Sequence, residues 1–319
     1  MSSALNLPLA KSAIDRDQLA RTKPELFAEL WANSQTRLLP MFDGKVLLHQ
    51  FGSVAEPALR LVEVQQIADY RVRVYLGITT AASIYEPAGT AVVLVTLDGE
   101  QAKALEADES QWHNLRRTGA GLSERDAGLY AQGLAIANWH ETHQHCTLCG
   151  AKTEVIDGGW VRHCKVDSKD SYPRTDPAII AAVIDDHDRI LLGSQGIWEE
   201  NRWSVLAGFV EPGESLPAAV QREIFEEAGI RVDDVEYLGS QAWPFPYSLM
   251  AGFSARARGE QTLTPDGLEI EKLRWFSRDE LGRQAAQILL PGRLSIARAL
   301  IEHWYGGELT SATELKLAR

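Results

Sequence analysis

The chain reads as an α+β protein. An N-terminal α+β domain occupies residues 1–140, a cysteine-bearing knuckle 141–175, a mixed-sheet domain 176–305 and a tail 306–319. Three observations predict this. Short β-branched and aliphatic runs bounded by Gly, Pro or Asp recur in both halves, as strands require. Capped segments of helical length stand among them. All three cysteines fall in one polar stretch between the halves. A length of 319 residues suits roughly two domains. With 45% apolar and 24% charged residues, the chain can bury a real core, which excludes general disorder and a disulfide-stapled miniprotein.

Taken in order, residues 1–30 are mixed and carry no clear period. Strands are predicted over 45–51, 72–78 and 91–97. A helix should begin near Ser123, with Glu124 and Asp126 in its first turn, and run through Trp139. No catalytic constellation stands out in this half. The stretch 141–175 is polar and irregular. Runs 178–184 and 189–192 flank Asp185-Asp186-His187-Asp188 and read as a hairpin with a polar turn. Residues 203–208 read as another strand. A helix over 215–228 is capped by Ser215 and stopped at Gly229. Strands should follow over 235–241, 249–257 and 272–276, then a last helix over 294–304. The tail 305–319, with Gly306-Gly307, is expected to be mobile or held by a partner.

The longest apolar run, seven residues over 178–184, falls far short of the ~20 that a membrane-spanning helix needs, so no membrane partner is expected. The first residues lack a basic start followed by an apolar stretch, and a cytoplasmic location is the expectation. The net charge of −12 disfavours DNA and extensive nucleic-acid contact, although a local basic patch remains open. An anionic substrate on so acidic a chain would need cations, and a divalent metal held by carboxylates is the obvious supply.

Cys146, Cys149 and Cys164 are spaced C-x2-C-x14-C, most of a zinc ribbon. The complete pattern would place a fourth cysteine at 167, where this chain has Asp167. Asp167 is the expected fourth zinc ligand and His163 the alternative; His143 and His145, upstream of the knuckle, are expected to face solvent. An oxygen ligand is harder than thiolate and should hold zinc less tightly.

The helix over 215–228 carries the chemistry. At about 100° per residue, Leu216, Val220, Ile224 and Ala228 form an apolar stripe. Glu223, Glu226 and Glu227 cluster beside it, with Glu227 inside its edge. Like charges at this spacing repel, and a carboxylate on a core face is costly. A hard divalent cation would reverse both penalties.

Gly208, Glu214, Arg222, Glu223, Ile224, Glu226, Glu227, Gly229 and Ile230 fit G-x5-E-x7-R-E-U-x-E-E-x-G-U at every fixed position, U being a bulky aliphatic. This resembles the box of the Nudix superfamily, whose members hydrolyse nucleoside diphosphates linked to another moiety. Downstream, Ser240-Gln241-Ala242-Trp243-Pro244-Phe245-Pro246-Tyr247-Ser248 resembles the SQPWPFPxS signature of NADH pyrophosphatases, with Ala242 in place of the usual proline. Tyr172-Pro173-Arg174 and Gly267-Leu268-Glu269 stand where that subfamily has a YPR turn and a further metal-site glutamate.

The resemblance covers about 120–305 and implies an α/β/α Nudix sandwich with a mixed sheet. It implies Mg²⁺ or Mn²⁺ on Glu223, Glu226, Glu227 and Glu269, with Arg222 orienting the glutamates. The general base stays open between Glu226, Glu227 and Glu269. It also implies a nicotinamide-dinucleotide pocket at a homodimer interface. Tyr172 and Phe209 would lie by the ring, Ala297 would line the pocket, and Gln241, Trp243, Phe245 and Ser248 would contribute from the signature segment. The implied reaction is metal-dependent cleavage of NAD(H) to nicotinamide mononucleotide and AMP, extending to removal of NAD caps from RNA 5′ ends. Cleavage of ADP-ribose or diadenosine polyphosphates is the alternative. A non-catalytic nucleotide sensor typically loses box glutamates, and here all are present.

Overall fold

The structure, a computed structural model, describes residue 5 and residues 7–49 and 57–313. The described residues divide into two compact units. The first holds those of Lys11–Thr175 and Trp243–Tyr247, the second those of Met1–Ala10, Asp176–Ala242 and Ser248–Arg319. Among the described residues, no helix is long and apolar enough to cross a membrane.

The first unit runs β1 (Ile14–Asp15), α1 (Leu26–Ala32), β2 (Arg37–Phe42), β3 (Lys45–Leu47), β4 (Val62–Glu63), β5 (Val72–Thr79), β6 (Ala91–Thr96), α2 (Gly99–Leu105), β7 (Trp112–Asn114), α3 (Leu115–Thr118) and α4 (Glu124–Thr142). Its strands pair in the order β1-β5-β6-β2-β3-β7, with β4 on β2. The run predicted over 45–51 pairs with residues 58 and 59 as far as His49, and Gln50 and Phe51 lie outside the described residues. Strand β2, which periodicity does not announce, contains Pro40. It is tolerated in the gap between the residues paired to β4 (Arg37, Leu38) and those paired to β3 (Met41, Phe42), where neither strand needs its N–H. Helix α4 starts where the sequence places it: the Ser123 hydroxyl accepts from the Asp126 amide.

The cysteine stretch is more ordered than its composition suggests. β8 (Glu154–Ile156), β9 (Val161–Cys164) and β10 (Lys169–Ser171) form a small antiparallel sheet. The linkage to α4 is polar. His140 donates from Nε2 to the Gly159 carbonyl at 2.8 Å and accepts at Nδ1 from Arg162 at 2.8 Å. That arrangement needs a neutral ring, and burial pushes its pKa down to about 4. The Trp160 indole donates to the Tyr75 carbonyl of β5.

The second unit comprises β11 (Asp176–Asp185), β12 (Ile190–Ser194), β13 (Leu206–Phe209), α5 (Leu216–Ala228), β14 (Val232–Trp243), β15 (Ser248–Ala257), β16 (Lys272–Phe276), α6 (Arg278–Gln284) and α7 (Ile296–Tyr305). Its sheet runs β14-β15-β11-β12-β16, with β13 on β11; β11–β15 is parallel, and β11–β12 is the predicted hairpin. Successive β11 side chains face opposite ways. Ile179, Ala181 and Val183 share a core with Val220, Ile224 and Ala228 of α5. Ile180, Ala182 and Ile184 share another with Ile296, Leu300 and Trp304 of α7. A helix on each face of a mixed sheet is the expected α/β/α sandwich, and it explains why β11 reads as an unbroken apolar run. Leu216 does not join the stripe: it is 36% exposed, and Ala219 is buried instead.

The tail departs from expectation. Leu309 and Ser311 are buried. The Arg298 guanidinium donates to the Pro291 and Leu309 carbonyls and the Ser311 hydroxyl, and Thr313 donates to the Leu290 carbonyl. A buried arginine forms the anchor, so the chain is tied down as far as residue 313.

Candidate active site

The site is built on the turn from β13 into α5. Gly208 pairs with Ile179 in the sheet. A Cβ there would stand 2.0 Å from the Glu223 carboxyl carbon, so only glycine lets that carboxylate lie against the strand. Ser215 caps α5, and Gly229, at φ 71°, ends it. The cap and the C-terminal stop fix which residues face the turn.

Arg222 organises the cluster. Its Nε and Nη2 grip both oxygens of Glu214 at 2.8 and 2.9 Å. Nη1 donates to Glu223 (2.9 Å) and Glu226 (2.8 Å), and Nη2 to the Phe209 carbonyl (2.9 Å). All five N–H groups are used. Glu214 foremost, then Glu226 and Glu223, hold the guanidinium even more firmly protonated than usual. The arginine therefore fixes two glutamates and ties the helix to the strand end.

Glu227 has no such support. It is 5% exposed and its Oε2 has no partner among the described residues. Burial first, then the charges of Glu223, Glu269, Asp266 and Glu226, push its pKa up to about 8. Burial also raises Glu223, against the pull of Arg222. Glu269 sits on an exposed loop shaped by Asp266, whose Oδ1 accepts from the amides of Leu268, Glu269 and Ile270. Burial works against ionisation of Asp266, but these amides outweigh it and keep its pKa low. The role of Asp266 went unread in the sequence, although an Asp-Gly pair before Glu269 is a turn signal.

A buried carboxylate oxygen without a donor, amid four other acids, is a costly arrangement that a hard divalent cation would relieve. The donor set of Glu223, Glu226, Glu227 and Glu269 fits Mg²⁺ or Mn²⁺. Their ligand atoms do not converge as tightly as those of the knuckle, since Arg222 draws Glu223 and Glu226 toward itself.

In the knuckle, the ligand atoms of Cys146, Cys149, Cys164 and Asp167 lie within 4.8 Å of one another. Cys149 and Cys164 Sγ are 3.6 Å apart, and Asp167 Oδ2 is 3.2 Å from Cys146 Sγ. Tetrahedral zinc with Zn–S bonds of about 2.3 Å requires S···S edges of about 3.8 Å, so the cluster fits the ion. His163 is excluded: it faces away from its neighbour Cys164 and bonds Asp170 at 2.7 Å. His145 is exposed, whereas His143 stacks on Trp139 and meets the edge of Tyr247.

The expected pocket residues fare differently. Tyr172 and Phe209 present open rings, 66% and 58% exposed. Gln241 is not available to a ligand. It is 1% exposed, its amide nitrogen donates to the Pro8 and Leu294 carbonyls, and its oxygen accepts from the Ile296 amide. It clamps the second unit together. Ala297 is likewise a core residue beside Leu300. Ser248 is half-buried and opens β15 opposite Asp176. Trp243 and Phe245 group with the first unit, edge to face at 4.9 Å, with the Arg116 guanidinium over Phe245 at 3.9 Å. Asn138 of α4 donates to the carbonyls of Pro244 and Pro246 around a cis Phe245–Pro246 peptide.

Three families match the chain in succession. Residues 35–139 match the NADH pyrophosphatase-like rudimentary NUDIX domain, 141–172 the NADH pyrophosphatase zinc ribbon domain and 174–298 the NUDIX domain. A relative from Mycobacterium tuberculosis, NAD-capped RNA hydrolase NudC, is 41% identical over 201 residues, 60% of this chain and 64% of that protein. The human NAD-capped RNA hydrolase NUDT12 is 39% identical over 198 residues, 57% of this chain and 42% of that one. The chain thus spans just under two thirds of the mycobacterial relative and less than half of the human one. Among solved structures, a NUDIX hydrolase from Nitrosomonas europaea aligns with 52% of this chain and 94% of its own, at 23% identity and a TM-score of 0.41.

Proposed function

We propose that this chain is a Nudix hydrolase that cleaves the pyrophosphate bond of NAD(H) to nicotinamide mononucleotide and AMP, and acts likewise on NAD-capped RNA 5′ ends. The observation that carries hydrolysis is the buried, unpartnered Glu227 oxygen beside Glu223, Glu226 and Glu269. The substrate rests on the succession of NADH pyrophosphatase-type domains and on the names of the two relatives, both NAD-capped RNA hydrolases.

In this reading Glu223, Glu226, Glu227 and Glu269 hold Mg²⁺ or Mn²⁺, which neutralises the pyrophosphate and makes a bound water more acidic. Arg222 keeps Glu223 and Glu226 oriented through its five hydrogen bonds. The proton acceptor is one of Glu226, Glu227 and Glu269. Phe209, at the strand end beside the glutamates, offers its exposed face to the flat nicotinamide ring. Cys146, Cys149, Cys164 and Asp167 hold a structural zinc. Zinc ligation needs the three cysteines unoxidised, and none is in a disulfide, which suits a reducing compartment such as the cytoplasm. A homodimer completes the reading, and light scattering of the full chain tests it.

Product analysis tests the reaction. With Mg²⁺ or Mn²⁺, NADH, NAD⁺, NAD-capped RNA, ADP-ribose and diadenosine tetraphosphate are incubated separately beside a Glu227→Gln control. NAD(H) should give the mononucleotide and AMP fastest, and the control should not. Faster cleavage of ADP-ribose or the diadenosine compound, with NADH intact, would overturn the substrate assignment while leaving the metal chemistry standing.

A further inference from the structure

A groove of about 450 Å³ lies wholly within the first unit, away from the box residues in sequence. That size falls in the ~300–1,000 Å³ range of small-molecule sites. Its walls are the 3-10 turn Gln18–Thr22, the start of α1, the start of β5 and the turn after β8. Four cations line it, Arg21, Lys23, Arg71 and Arg73, against one carboxylate, Asp157. In a chain of net charge −12 this is a local inversion of sign.

The cations are largely uncompensated. Arg71 has Glu141 at 3.2 Å, an exposed pair of little strength. Arg73 donates to the Tyr70 hydroxyl and lies over the Phe27 ring at 4.0 Å, and Arg21 donates to the Arg16 carbonyl and lies over Trp160 at 3.9 Å. Neither has an ion-pair partner among the described residues, and the Arg21 Nε is buried with none of any kind. Asp17, whose charge reaches Arg21, accepts from the Tyr75 hydroxyl. Lys23 is exposed and has no side-chain hydrogen bond or ion pair among the described residues. The floor is backbone. Gly159, at φ 95°, has Val74 Cα 2.7 Å from where a Cβ would stand, so the turn can lie against β5 only with glycine there.

A bare phosphate site needs cations alone. This groove interleaves guanidinium groups with the rings of Phe27 and Tyr70, the pairing that takes phosphate on one element and a flat base on the other. We propose that it binds a nucleoside phosphate, the phosphate against Arg21, Lys23 and Arg73 and the base against Tyr70. The ligand is either a free mononucleotide or one nucleotide of a single RNA strand. The inference needs nothing from the hydrolytic site.

The test is binding by the full chain in EDTA, where hydrolysis cannot run. Probes are a fluorescein-labelled single-stranded ribodecamer, read by anisotropy, and AMP, read by calorimetry. Variants are Arg73→Glu and Lys23→Glu, neither of which touches the box. Each reversal should weaken binding at least roughly fivefold and flatten its salt dependence, with NADH turnover unchanged. Loss for the decamer alone assigns the site to an RNA strand; loss for AMP assigns it to the free nucleotide. Equal affinities of wild type and both variants for both probes, or no binding of either by wild type, would overturn the proposal. Lys23→Glu alters an exposed side chain with no hydrogen bond or ion pair among the described residues, so it decides the matter if Arg73→Glu does not fold.

Discussion

Glu227→Gln should make the metal-free protein more stable at alkaline pH. The carboxyl has an ordinary value near 4.5 and is pushed to about 8 by burial and four neighbouring acids. Below pH 4.5 it is protonated in both folded and unfolded chains and costs nothing. Between 4.5 and about 8 the unfolded chain ionises while the folded one keeps the proton, so stability falls as pH rises. Above 8 the full penalty applies. At about 1.36 kcal/mol per unit its ceiling is about 5 kcal/mol. Relaxation of a charged cluster leaves on the order of 2 kcal/mol, or roughly 5 °C in the melting temperature. The assay is calorimetric melting in EDTA at pH 5 and pH 9. Wild type and variant should coincide at pH 5 and separate at pH 9, with the variant higher. Excess Mg²⁺ should then raise wild type by more than the variant, because the cation compensates the ionised carboxylate. Parallel pH profiles in EDTA, or an equal Mg²⁺ response, would refute the reasoning.

Other substitutions test separate parts. Gly208→Ala should displace the Glu223 carboxylate that now fills its Cβ position, lowering kcat by roughly 10²-fold while the melting temperature moves by only a few degrees. Arg222→Lys cannot replace five directed N–H bonds, so steady-state kinetics should show kcat falling at least ~10-fold with KM nearly unchanged. Asp167→Cys should tighten zinc retention against a chelator, and Asp167→Ala should loosen it, as read by metal content after dialysis. Gln241→Leu leaves the Pro8 and Leu294 carbonyls and the Ile296 amide unpaired and should cost on the order of 3 kcal/mol in a denaturant melt. A large rise in KM from Gln241→Leu without that loss would restore Gln241 to the pocket.

What the sequence by itself determined is local. Ser215 and Gly229 delimit α5 because a cap and a left-handed stop act on their own turn. The spacing of Glu223, Glu226 and Glu227 follows from helical pitch, and so does the burial of Glu227 at the stripe edge. The cysteine spacing marks the knuckle, since adjacent short turns bring those side chains together. Tertiary structure decided what depends on partners far along the chain. Gln241 reads like a ligand contact, yet its amide is claimed by residue 8 and by residues 294–296. Trp243 and Phe245 lie under Arg116, and Pro244 and Pro246 beside them are held by Asn138, more than a hundred residues earlier. The described part of the tail, glycine-bearing, is held by the buried Arg298 and by bonds from residues 312 and 313 to Ile288 and Leu290. β2 hides behind a proline that only its neighbours' pairing makes harmless. Helical and strand periods report which face is buried, but a buried polar side chain needs a named acceptor or donor, and only the folded chain says where that partner comes from.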